Sequence, residues 1–113
     1  MRNIKIVSLI YLVAGAMSCY ANPGSWTPEY QNISNIIVEG GNTGSSALII
    51  MESGVPSAYI PDACNSPYNK ADLTTEHGRS VYTAALAAYM SGKPVKLALA
   101  CSGTRPFITH IKI

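Results

Sequence analysis

Beyond residue 21 the chain carries two histidines, His77 and His110, and two cysteines, Cys64 and Cys101. These side chains could hold a metal, activate a nucleophile or cross-link the chain. A metal site asks for ligands at short, regular spacing, such as an i, i+4 histidine pair, H-E-x-x-H or C-x-x-C. None of these occurs. His77 follows Glu76 at the start of an expected helix, and His110 lies in an alternating strand pattern, so each reads as an ordinary polar residue of its element. Serines are plentiful, but no G-x-S-x-G elbow marks one as activated. Gly40-Gly41-Asn42-Thr43-Gly44 resembles a phosphate loop in its glycines alone; it lacks the lysine, and a hairpin turn accounts for it better. The carboxylates are scattered and offer no acid–base pair. The expectation is a protein without catalytic residues, metal or cofactor.

Cross-linking is the chemistry that remains. Residues 1–21 read as a signal peptide: Arg2 and Lys5 precede an apolar run over residues 6–17, and Cys19-Tyr20-Ala21 offers small residues where a signal peptidase cuts. The run is too short to span a bilayer. Ala16-Met17-Ser18-Cys19 also loosely matches a bacterial lipobox, which would keep Cys19 as a lipid anchor. Plain cleavage leaves Cys64 and Cys101, an even number in an oxidising compartment. A bridge between them would contribute about 4 kcal/mol in the chain-entropy model. Two buried free thiols are the alternative. The protein is thus expected to be exported, secreted or periplasmic.

Arg2 and Lys5 also account for the whole formal charge of +2. Residues 22–113 balance Lys70, Arg79, Lys93, Lys96, Arg105 and Lys112 against Glu29, Glu39, Glu52, Asp62, Asp72 and Glu76. A neutral domain without a basic stripe lacks the electrostatic footprint of a nucleic-acid binder or of a polybasic membrane patch.

The elements that must position these residues fit one domain, residues 22–113. A domain this small buries roughly 60–65% of its unfolded surface, so a disulfide or oligomerisation is a natural support. Residues 33–39 (ISNIIVE) and 46–52 (SALIIME) flank the glycine-rich turn and predict a hairpin. Residues 57–60 (SAYI) predict a short third strand, and residues 61–75 a polar loop. A helix starting between Thr75 and Ser80 should stop at Gly92, with Pro94 barring its continuation. Residues 94–100 (PVKLALA) and 107–113 (FITHIKI) predict two further strands. The order β-β-β-α-β-β is that of an OB-fold-like five-stranded barrel, mainly β with one helix; a generic α+β sandwich shares it.

At 100° per residue, Val81, Tyr82, Ala85, Leu86, Tyr89 and Met90 fall on one half of the helix, the side expected to pack on the barrel. Thr83, Ala84, Ala87, Ala88 and Ser91 fall on the other. That small half either faces water at little cost or forms an interface between subunits. Trp26, Tyr30, Tyr59, Tyr68, Tyr82 and Tyr89 supply flat amphipathic rings that suit a sugar face, although core tyrosines look the same in sequence.

The stretch GSWTPEYQNISNIIVEGGNTG resembles the opening of the B subunits of subtilase cytotoxin and typhoid toxin. The matching residues are Trp26, Thr27, Ser34, residues 36–38 and Thr43-Gly44. In AALAAYMSGKPVKL, Gly92, Pro94, Val95, Lys96 and Leu97 match the run that opens the fourth strand of those subunits. The resemblance implies an OB-fold assembled as a homo-pentamer with helices lining a pore, a sialoglycan site and a catalytic A subunit docked over the pore. It places the glycan-contacting serine at Ser34, near Trp26 and Tyr30. The chain departs from the family in having Ala98 and Leu99 where early fourth-strand aromatics are usual, and in having no cysteine at residues 49–51. Together these readings point to an exported, non-catalytic binding protein, a glycan-binding toxin-type B subunit. The alternative is a stand-alone exported OB-like protein that binds or inhibits another protein.

Overall fold

The computed structural model describes residues 24–41, 44–61, 64, 66–101, 103 and 105–113. The expected signal peptide, with Cys19, lies outside them. The protein is mainly β with one helix: β1 (Ile33–Gly41), β2 (Gly44–Met51), a 3-10 turn (Ser57–Tyr59), β3 (Asn69–Asp72), α1 (Glu76–Ser91), β4 (Lys96–Cys101) and β5 (Pro106–Lys112). The five strands form one sheet in the order β1-β2-β3-β5-β4, antiparallel except for β3 beside β5. The sheet is not closed. Its two ends approach where the segment before β1 meets β4, through a bridge between Gln31 and Val95. No helix among the described residues is long and apolar enough to cross a membrane.

The hairpin forms as the pattern predicts. Ile36 faces Ile49, Val38 faces Ala47, and Gly41 meets Gly44 at the turn. Aliphatic and β-branched residues suit this half-buried pleat. The third strand, by contrast, is not residues 57–60. That segment makes the 3-10 turn, for Pro56 and Pro61 bracket it and a proline cannot donate to a ladder. The strand is Asn69–Asp72, inside the expected loop, where Ala71 pairs with Ala47 and Asn69 with Ile49. The buried Asn69 amide donates to the Ile49 carbonyl at 3.0 Å, so its polar side chain is satisfied.

The helix begins at an N-cap. Thr75 Oγ1 accepts from the Gly78 amide at 2.9 Å and donates to the Asp72 carbonyl at 3.0 Å. It ends at Gly92, whose φ of 70° is the left-handed conformation that glycine adopts without steric cost. Its buried stripe is Gly78, Val81, Ala85 and Ala88. Val81 and Ala85 lie on the side expected to pack, and two residues correct the expectation. Ala88, assigned to the outer half, is 1% exposed, whereas Met90, assigned to the packed half, is 78% exposed. Small residues face inward because the helix backbone sits directly against the end of β3. A methyl on Gly78 would overlap the Asp72 carbonyl oxygen and lie 2.7 Å from the Asp72 nitrogen.

The core joins this stripe to Ile33, Ala47, Ile49, Met51, Ala71, Val95, Leu97, Leu99 and Ile108. A disulfide between Cys64 and Cys101, 37 positions apart, ties the loop before β3 to the end of β4. Nearby, Arg105 pairs with Glu39 at 2.8 Å, and its guanidinium stands over the Tyr68 ring at 5.5 Å.

Candidate functional site

Thr27 and Gln31 position the segment that precedes β1. The Thr27 amide donates to the Leu97 carbonyl at 2.8 Å, and the Leu97 amide donates back to Thr27 Oγ1 at 3.1 Å. Four residues on, Gln31 and Val95 exchange backbone hydrogen bonds of 2.8 and 3.0 Å. The Gln31 side chain accepts from Ser53 N and donates to the Gly54 carbonyl, locking this end against the turn after β2. Between these anchors Trp26 and Tyr30 are laid beside β4, 38% and 47% exposed.

Lysines meet both rings. Lys96 Nζ stands 4.8 Å from the Tyr30 centroid and Lys112 Nζ 5.0 Å from that of Trp26. The two lysines are direct cross-strand partners on β4 and β5. His110 faces the Trp26 ring edge-on, with centroids 5.7 Å apart. The β4–β5 pairing explains the grouping: Lys96 faces Lys112 and Ala98 faces His110, so these residues share one face, while the register shift between Ala98 and Leu99 puts Ile108 opposite Leu99 in the core. Cation–π attraction holds each ammonium over a ring, which fixes positive charge beside flat apolar surface. Among the described residues neither lysine has a carboxylate partner, since the one salt bridge there is Arg105–Glu39. Such a surface suits a flat ligand bearing an anionic group.

Trp26 and Tyr30 are therefore linked through the paired Lys112 and Lys96. Ser34 is placed differently: it is half-buried at the bulge that opens β1, and its hydroxyl donates to the Ile50 carbonyl at 3.1 Å. Ala98 and Leu99, where the resembling family has aromatics, are both buried. That His110 and Lys112 share a face is legible in the alternation of FITHIKI, but the register shift that separates them from the buried Ile108 leaves no mark there. The meeting of both with Trp26 is not legible either, because it depends on a non-regular segment lying along β4.

Of the small helix residues, Thr83, Ala87 and Ser91 are exposed, Ala84 is half-buried and Ala88 belongs to the core. The Thr83 and Ser91 hydroxyls bond back to the Arg79 and Ala87 carbonyls, both at 2.8 Å, within their own helix. A second concavity of about 390 Å³ lies where the start of α1 crosses β3 and β5; Lys70, Asp72, His77 and Phe107 are among its lining residues. The Thr74 hydroxyl and backbone amide both donate to Asp72 Oδ1, at 2.6 and 2.9 Å. The hydroxyl bond, then the amide bond, and more weakly the nearby Lys70 charge hold this carboxyl below its ordinary value of 3.8.

The two histidines have different surroundings. His110 Nδ1 lies 3.0 Å from Thr109 Oγ1, and that hydroxyl also donates to the Ala98 carbonyl at 3.0 Å. The Thr109 hydroxyl is thus shared between the Ala98 carbonyl and the His110 ring. No hydroxyl or thiol is hydrogen-bonded to His77 among the described residues, and no group of three potential metal ligands occurs among them. No protein-family model, curated protein or solved structure matches this chain.

Proposed function

We propose that this chain is an exported, non-catalytic binding domain of OB type that takes an acidic glycan at the patch formed by Trp26, Tyr30, Lys96, His110 and Lys112. One observation carries the reading: two exposed rings each have a lysine ammonium held over them, and the two lysines are direct cross-strand partners on β4 and β5. Aromatic faces stack on the apolar faces of sugars, and the ammonium groups answer a carboxylate. The order β1-β2-β3-β5-β4, the parallel contact of β3 with β5 and the Gln31–Val95 bridge support an OB-type arrangement. The Cys64–Cys101 disulfide supports export. The resemblance in residues 24–44 and 84–97 supports a sialoglycan as the acidic ligand and a toxin-type B subunit as the context.

Calorimetric titration with sialyllactose and with lactose tests the ligand class. Sialyllactose should bind and lactose should bind at least tenfold more weakly, a difference of about 1.4 kcal/mol. Trp26→Ala should remove most of the affinity, and Lys112→Gln should lower both the affinity and its salt dependence. Ser34→Ala measures the share of that hydroxyl, and unchanged binding would take Ser34 out of the site. Equal binding of the two sugars, or none of either, refutes the reading.

A further inference from the structure

The two ends of the sheet are finished differently. At the β4 end, the segment carrying Thr27 and Gln31 covers the strand with backbone hydrogen bonds. At the β1 end nothing does so. Residues 35–41 make backbone hydrogen bonds only to β2 among the described residues. An antiparallel strand directs every second N–H and C=O to its far side, so β1 presents a row of unpaired donors and acceptors.

Exposed edges are ordinarily blunted by lysine, proline or a bulge. The bulge of β1 lies at its beginning, between Ile33 and Asn35, and the strand contains neither lysine nor proline. Its one charged residue, Glu39, is engaged by Arg105. Ile37 and Val38 are 41% and 56% exposed.

We infer that this edge pairs with the β1 edge of a second copy of the chain, antiparallel about a two-fold axis through Ile37. The side-chain pattern selects this occupant and this register. Directly opposed residues in an antiparallel pair lie on the same face, and a shift of one residue would set core-side groups against outward ones. Centred on Ile37, Ile37 meets its own copy, Val38 meets Ile36, and Glu39 meets Asn35, whose amide can donate to the carboxylate. Centred on Ile36, Glu39 would face Ile33 and Val38 would face Ser34. Centred on Val38, Glu39 would face Ile37. Only the Ile37 register matches apolar with apolar and leaves no carboxylate against an aliphatic side chain. The contact is isologous and closes at two copies. It differs both from the small-residue face of α1 and from the five-membered ring that the family resemblance implies.

Sedimentation equilibrium of the full chain, expressed for export, tests the contact. Wild type should show the mass of two copies at tens of micromolar. Asn35→Glu sets a second carboxylate opposite Glu39 and should weaken association at least tenfold, whereas Asn35→Lys should tighten it. Asn35 is exposed, so both variants should keep the wild-type circular dichroism and melting temperature. Ile37→Lys, also at an exposed position, should give monomers. A single-chain mass at 100 µM, a five-copy mass, or a dimer indifferent to both Asn35→Glu and Ile37→Lys overturns the inference.

Discussion

Alanine at position 78 should destabilise this protein, although the same change in an open helix stabilises it. Glycine inside a helix is about 1 kcal/mol less favourable than alanine, so a free helix would gain that amount. Here the added methyl would meet backbone: it overlaps the Asp72 carbonyl oxygen and lies 2.5 Å from the Asp72 carbonyl carbon. No side-chain rotation relieves a backbone contact, so α1 must move away from β3 by about 1 Å, and overpacking of this kind typically costs about 1–3 kcal/mol. The movement pulls directly on the cap, since Thr75 Oγ1 bridges Gly78 N and the Asp72 carbonyl at 2.9 and 3.0 Å. Losing a cap of this type costs about 1 kcal/mol. The helix-propensity gain offsets about as much as the cap loss costs, leaving a net destabilisation of about 1–3 kcal/mol. At 4–8 °C per kcal/mol for a domain of this size, the melting temperature should fall by roughly 4–24 °C. Urea and thermal unfolding followed by circular dichroism measure this, with Ala87→Gly on the exposed side of the same helix as the reference, expected to cost about 1 kcal/mol. A Gly78→Ala variant as stable as wild type, or more so, would show that α1 does not sit against β3 in this way.

Two further predictions concern the cross-link and the cap region. Replacing Cys64 and Cys101 together by alanine should lower stability by about 4 kcal/mol, given their separation of 37 positions; the same loss should appear when wild type is melted in a thiol reductant, and equal melting temperatures with and without reductant would refute it. Asp72 titrates below 3.8 in the folded state because Thr74 donates two hydrogen bonds to its ionised form. Its contribution should therefore be complete above that value and lost as pH falls through the lower folded value. The stability difference between wild type and Asp72→Asn should hold steady above pH 5 and shrink below about pH 3.8; a difference that ignores pH from 2 to 7 would contradict the assignment.

The elements legible in the sequence are those whose local pattern agrees with their final neighbours. ISNIIVE and SALIIME, with a glycine-rich turn between them, carry their own pairing instructions. So does the helix, with threonine at its start and Gly92 at its stop. The even cysteine count of residues 22–113 points to the Cys64–Cys101 bridge that the structure contains. The third strand misleads because SAYI has strand-forming residues and NKAD does not. β2 has a free edge to satisfy, and NKAD supplies a small Ala71 opposite Ala47 and a polar Asn69 that reaches Ile49. Tertiary context thus outweighs propensity at this position. The helix faces mislead for a related reason: bulk signals burial only where room exists, and the stripe that fits under this helix is Gly78, Val81, Ala85 and Ala88. For the candidate site, Trp26 and Tyr30 are visible as rings, but their lysine partners lie far along the chain and meet them only through the Thr27 and Gln31 anchors.

Trp26 is the only tryptophan in the chain, and it stands at the edge of the fold rather than in its core. Its indole is therefore an optical reporter of the patch, with the Lys112 ammonium and His110 imidazole as its immediate electronic surroundings. A sugar that dries this ring should shift its emission to the blue. Unfolding should move the same signal only slightly, for the ring already meets water. Emission and circular dichroism recorded on one sample would then follow occupancy and folding as separate quantities.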